Sequence, residues 1–339
     1  LASDDTNDLR RLELQTWAFN YLEEQGYQNL EPIRSVSDDA SFRRYFRLKH
    51  SKDTLICVDA PPDKEDNESF VLVQGLLEKG GVNVPQLVHF DLKLGFLLLS
   101  DMGDDLLLGL LKDSALERQV NAYENALACL GEVVGVETTG LPNYNESRLL
   151  DEMSLFPDWL LDRQLKVERY DGFNQVAEAM VENAQKQPQV FVHRDFHARN
   201  LMTLGEELGV IDFQDAVVGP ITYDLVSLLK DCYWKLPRQT VVQLVDTFRR
   251  EHAHQTEPAT FLRWFDWMGF QRHLKCAGIF CRLNLRDGKP GYLKDIPLVI
   301  DYLIEVAQLY TELKDFGAWL SREIKPNVAE LADQQATSK

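Results

Sequence analysis

Cysteine is scarce in this 339-residue chain, which contains only Cys57, Cys129, Cys232, Cys276 and Cys281. They are odd in number, scattered and without a Cys-x-x-Cys pair. That argues against a disulfide frame or structural zinc and fits reduced thiols in the cytoplasm. Positive charge is also in deficit, with 36 lysines and arginines against 54 acidic residues and a formal net charge of −18. Nucleic-acid binding, which wants a basic face, is therefore not expected. No apolar run approaches the ~18 residues of a membrane span, so no membrane association is expected either. The stretch from Leu1 to Arg10 is polar and acidic, whereas a secretory signal is basic and then apolar. Neither Gly-x-x-x-x-Gly-Lys-Ser/Thr nor Gly-x-Gly-x-x-Gly occurs, which leaves P-loop and Rossmann readings without support.

What is present is the composition of a globular protein, 45% apolar, 10% aromatic and 27% charged. The length suits one large two-lobed domain or two ordinary ones. Residues 9–25 have helical periodicity and stop at Gly26. Strands are expected at 42–48, 54–58 and 95–100, with a helix at 67–79 ending at Gly80-Gly81. Beyond the polar turn 101–105 the chain reads as helical, with Ser114 and Glu117 spaced as a capping box. Further helices are expected at 223–234, 261–283 and 295–313. The fold class is therefore α+β. A β-rich N-lobe spans residues 1–103, a large helical C-lobe spans 104–325, and a polar, frayed tail covers 326–339.

The exception within the helical part is the segment 190–215. Val190 to Val192 reads as a buried strand and His193-x-Asp195 as the loop leaving it. Asn200 follows five residues after Asp195, and a second strand, 208–211, ends on Asp212. Pairing of those two strands would bring Asp195, Asn200 and Asp212 together across eighteen positions. The set suits phosphoryl transfer. An aspartate near the acceptor hydroxyl orients it and takes its proton. Asparagine and aspartate oxygens are the hard ligands that Mg²⁺ prefers.

These residues carry a resemblance. His193-x-Asp195-(four residues)-Asn200 with Ile211-Asp212-Phe213 resembles the motif of the aminoglycoside phosphotransferase and choline kinase superfamily. Gly219-Pro220-x-x-Tyr223-Asp224-Leu225 fits the same superfamily, in which such an aspartate braces the catalytic loop. The segments 37–47, 59–62 and 271–282 are similar to the bacterial anomeric kinases of cell-wall recycling. Those enzymes phosphorylate N-acetylmuramate and N-acetylglucosamine at the C1 hydroxyl. The resemblance implies a bilobal protein-kinase-like fold, with ATP and Mg²⁺ as cofactors and a sugar as partner. It further implies His193 as a loop-shaping residue, Asp195 as base, Asn200 and Asp212 as metal ligands, and Leu99, Ser100 and Met102 as the backbone seat of adenine.

Two features depart from many kinases. The phosphate-covering loop is Ser37-Asp-Asp-Ala-Ser41 rather than glycine-rich, so Ser37 and Ser41 are the expected phosphate contacts. Strand 54–58 holds no lysine, Asp59 stands about where one is expected, and Phe70 falls near the position of its usual glutamate partner. Arg44 is the candidate replacement cation, with an ion pair to Asp59 as the alternative. Arg199, Gln214 and Asp215 flank the catalytic residues as candidate sugar contacts. Arg272, His273 and Lys275 form either a solvated basic helix face or a seat for the lactyl carboxylate, with Arg272 and His273 the candidates. The rival readings are a kinase for another acceptor (aminoglycoside, choline or a different sugar) and a nucleotide-binding pseudokinase. Oligomeric state is not legible.

Overall fold

The computed structural model describes residues 8–37, 42–51 and 53–337. It divides into two compact units, one holding the chain up to Leu106 together with Leu201–Asp215, the other holding Leu107–Asn200 and everything after Ala216.

In the smaller unit, helix α1 (Leu9–Glu24) is capped by Asp8, whose carboxylate accepts the Arg11 N–H at 3.2 Å. It ends where Gly26 takes φ +84°, a left-handed geometry that suits glycine. Strands β1 (Arg34–Ser37), β2 (Arg44–His50), β3 (Asp53–Asp59), β4 (Leu87–Asp91) and β5 (Phe96–Ser100) form one antiparallel sheet in the order β1-β2-β3-β5-β4. Alternation along β2 turns Phe46 and Leu48 to one face, where they pack with Leu55, Cys57, Phe96 and Leu98 beneath Leu14, Ala18 and Leu22 of α1. Helix α2 (Asn67–Lys79) follows β3, capped by Asp66, which accepts from Ser69 N–H at 3.0 Å.

The hairpin β7 (Leu201–Leu204) and β8 (Glu207–Val210) also belongs to this unit. The Thr203 N–H donates to Asp105 O and the Val210 N–H to Asn83 O, both at 2.8 Å. The expected pairing of 190–192 with 208–211 is thus corrected. Strand β6 (Gln189–Val192) pairs with β9 (Val217–Pro220), and β8 pairs with β7. The reason is local: Gly205, at φ +73°, closes a tight hairpin between 201–204 and 207–210, and nearest-neighbour pairing has the lowest loop-closure cost.

The larger unit holds the remaining helices: α3 (Leu107–Lys112), α4 (Leu116–Val134), α5 (Glu146–Leu155), α6 (Phe173–Gln185), α7 (Tyr223–Leu229), α8 (Arg238–His252), α9 (Pro258–Leu285), α10 (Ile296–Leu309), α11 (Lys314–Trp319) and α12 (Lys325–Thr337). Helix α9 is central, packed by α5, α6, α7, α8 and α10 and buried continuously from Phe265 to Lys275. Gly278 permits one close approach, since a Cβ there would lie 2.3 Å from the Leu155 carbonyl group.

Three local expectations change. The Ser114 capping box does not form. Ala115 is the cap residue of α4, and Gln119 Nε2 donates to the Ser114 carbonyl at 2.9 Å instead. Helix α7 stops at Leu229 rather than 234. The tail is not frayed from 326 on, because α12 runs to Thr337 and Val328 anchors it at 1% exposure.

Candidate active site

The loop 193–200 leaves β6 and is held from below by Asp224, on the first turn of α7. Its two carboxylate oxygens accept the backbone N–H groups of His193 (2.6 Å) and Arg194 (3.0 Å). The fully buried His193 turns its Nδ1 back to accept the Asp195 N–H at 3.2 Å. Arg194 sits at φ +78°. For a non-glycine residue that costs about 1–2 kcal/mol, and the cost is met by clamping both ends. Its N–H is on Asp224 and its guanidinium is on Glu152 of α5 at 2.5 Å. Further along, the Ala198 N–H reaches Asp231 Oδ2 at 3.3 Å, and Asn200 Nδ2 donates to the Asp195 carbonyl at 3.0 Å.

The Asp195 carboxylate is 43% exposed, with Arg272 Nη2 3.8 Å away. Burial tends to raise its pKa, but Lys275, His197, Arg272 and Arg194 outweigh that and hold the carboxyl well below the ordinary aspartate range. The cations are themselves anchored. Lys275 pairs with Glu152 at 3.3 Å and donates to the Tyr223 hydroxyl at 3.0 Å, and the Tyr144 hydroxyl also donates to Glu152. Asp224 behaves oppositely. Burial, against the two N–H donors, pushes its carboxyl up to about 7.

The smaller unit carries the other expected residues. Asp212, following β8, adopts φ +64°, and Gln214 Nε2 donates to its Oδ1 at 2.9 Å. Gln214 thus supports Asp212 directly, while Asp215 is exposed. Phe213 is buried against Phe70 of α2, ring centroids 5.0 Å apart. Asn200 and Asp212 each offer hard oxygen donors, the chemistry that magnesium takes with one or two protein groups plus phosphate and water. Among the described residues no group of three or more His, Cys, Asp or Glu side chains is arranged to hold a metal ion.

Several expected contacts lie elsewhere. Arg44 faces the α1 side of the sheet, opposite Asp59 in register. It binds Asp59 at 2.6 Å and also pairs with Asp8, while Arg10 binds Asp59 at 2.5 Å. The ion-pair alternative therefore replaces the phosphate role. Alternation along β3 puts Asp59 on the same face as Leu55 and Cys57, under α1. On the opposite face Arg43, 3% exposed, pairs with Glu65 at 3.4 Å and lies 5.4 Å over the Phe70 ring.

His273 is a core residue, fully buried, with Nε2 paired to Lys230 O at 2.9 Å and its ring stacked on Tyr302. It is no sugar contact. Nor do Arg272, His273 and Lys275 form a solvated face, since neighbouring helices enclose α9. Leu99 and Ser100 are ladder residues of β5, and the Ser100 N–H already donates to Gln86 O at 3.0 Å. Met102 lies beyond the ladder, its thioether near Gly209. Ser37 pairs with Tyr45 through β1 and β2, and Ser41 lies outside the described residues. Glu152, Asp231 and the tyrosines around Arg199 were not foreseen. They carry no local motif and reach the loop only through helix packing.

A family model described as the phosphotransferase enzyme family matches residues 32–265. Two named relatives align with nearly the whole chain. An N-acetylmuramate/N-acetylglucosamine kinase of Neisseria meningitidis is 38% identical, covering 92% of this chain and 95% of its own. One of the same name from Pseudomonas aeruginosa is 40% identical, covering 93% and 97%. Among solved structures, an ADP-bound aminoglycoside phosphotransferase superposes with TM-score 0.56 at 15% identity, covering 88% of this chain and 99% of that one.

Proposed function

The chain belongs to the phosphotransferase enzyme family, and from that premise we propose an ATP- and Mg²⁺-dependent kinase that phosphorylates N-acetylmuramate, N-acetylglucosamine or both at the anomeric hydroxyl. The product would be the sugar 1-phosphate, formed in the cytoplasm during recycling of peptidoglycan sugars. The sugar class rests on the two relatives at 38% and 40% identity that share nine-tenths of the chain. ATP rests on the family and on the ADP-bound neighbour.

One observation carries the chemistry: a partly exposed carboxylate, Asp195, on a loop locked by Asp224 and surrounded by anchored cations. In this reading Asp195 accepts the C1 hydroxyl proton as phosphate is transferred. A carboxylate held at low pKa is a weak base, and it suits an anomeric hydroxyl, which is more acidic than an ordinary alcohol. Arg272 and Lys275 keep it ionised, and His193 aims it. Asn200 and Asp212 would hold Mg²⁺, which when bound offsets negative charge on the phosphates. Met102 is the residue proposed to meet adenine through its backbone.

The test is direct. With ATP, Mg²⁺ and either sugar, phosphorus NMR should show a new sugar phosphate as the reducing end disappears. Asp195→Asn should lower kcat about 10²–10⁴-fold, the usual worth of general-base catalysis. Near-normal turnover in that variant would reject the assignment of the base. Absence of product with both sugars would reject the acceptor.

A further inference from the structure

The cations around the catalytic loop are committed, with one exception. Arg194 is on Glu152 at 2.5 Å, and Lys275 is on Glu152 and Tyr223. Arg272 is enclosed by the sulfurs of Cys232 (3.7 Å) and Cys276 (3.5 Å) and by Asp195. Arg199, four residues beyond Asp195 and next to Asn200, is exposed. Among the described residues it has no carboxylate at ion-pair distance, and Asp295 interacts with it only at longer range. Its guanidinium lies over the rings of Tyr233 (4.7 Å) and Tyr292 (5.9 Å).

Those two rings are half-buried and rigidly backed. Tyr292 stacks on Phe280 with centroids 5.6 Å apart, Tyr233 lies 6.4 Å from the same ring, and His197 meets Tyr233 edge-on at 5.6 Å. An arginine held against two tyrosines, whose hydroxyls also interact with it, has lost rotamer freedom in advance, and its planar donor set matches a carboxylate. A chain of net charge −18 repels an anionic acceptor at long range, so such an acceptor needs a local cation of this kind.

We propose that Arg199, seated on Tyr233 and Tyr292, is the carboxylate-recognising subsite for the acceptor. It favours the carboxylate-bearing sugar N-acetylmuramate over neutral N-acetylglucosamine. This subsite rests on the acceptor reading above and adds to it the residue that discriminates between the two sugars.

The test compares kcat/KM for both sugars in the wild type, Arg199→Gln and Arg199→Lys. In R199Q the ratio of N-acetylmuramate to N-acetylglucosamine should fall tenfold or more. In R199K it should fall less, because charge remains but the fork is lost. N-acetylmuramate with its lactyl carboxylate converted to the amide should lose a similar factor with the wild type and little more with R199Q. Thermal melting and ADP binding show whether each variant is folded. A ratio unchanged in folded R199Q overturns the subsite while leaving the kinase reading intact, whether both sugars are lowered equally or not at all. A wild type that phosphorylates neither sugar overturns the acceptor reading itself, and the subsite with it.

Discussion

Arg44 and Asp224 illustrate how a single ionisable side chain takes its role from what surrounds it. Asp59 is fully buried, while its two arginine partners are about two-fifths exposed. Arg44→Ala leaves Arg10 on Asp59 and should cost only about 1 kcal/mol, as exposed ion pairs do. The Arg10→Ala/Arg44→Ala double variant strands a buried carboxylate and should cost about 3–5 kcal/mol, far more than twice the single. Urea unfolding measures both, and the ATP KM of R44A should stay within twofold of wild type. A large rise in that KM would return Arg44 to the phosphates. Asp224 predicts a pH effect. An unfolded aspartate titrates near ~3.9, whereas this one is pushed up to about 7. Between those values the folded protein holds the extra proton. Stability from this group is therefore greatest at the acid end and is lost as pH rises through about 7. Activity should run the other way, because a protonated carboxyl no longer accepts fully from both His193 and Arg194 N–H groups. With ATP saturating, kcat should fall as pH drops below about 7, while Asp195 remains ionised. A flat profile down to pH 5 would remove Asp224 from that role.

Elements show where local signals were enough. Both α1 and α2 fall within a residue of their expected limits, since periodicity and end residues agree: Asp8 and Asp66 as caps, Gly26 and Gly80 as stops. The capping box at Ser114 failed because Gln119 bonds the Ser114 carbonyl and the helix begins after Ala115. The basic stretch of α9 departs from the solvated-face expectation for a different reason. Its apolar pattern runs around the whole helix, so no solvated face exists for Arg272, His273 and Lys275 to occupy. The same enclosure makes Gly278 critical. Gly278→Ala would set a Cβ 2.3 Å from the Leu155 backbone carbonyl, forcing α9 from α5 at a cost of about 1–3 kcal/mol. Thermal unfolding of G278A should show it, and an unchanged Tm would mean that α5 shifts freely.

At the scale of the molecule, both the division of the chain and its carboxyl-terminal end depart from expectation. The boundary expected near residue 103 lies at Leu106, but the hairpin 201–215 joins the smaller unit despite its place in the middle of the sequence. Helix α12 packs on α10 and buries Val328, so truncation after Ile324 should lower Tm by several degrees and expose apolar surface. A truncated protein with unaltered melting would restore the frayed tail. By itself the sequence determined the α+β class, the spacing of His193, Asp195, Asn200 and Asp212, and the superfamily. These rest on residue type and short-range order, which need no knowledge of distant neighbours. Tertiary structure alone decided that Arg44 serves Asp59, that His273 is core, that Glu152 and Asp231 brace the loop 193–200, and that Arg199 lies over two tyrosines. In each case the deciding partner lies on a different element, and only packing determines which charges are left to face a ligand.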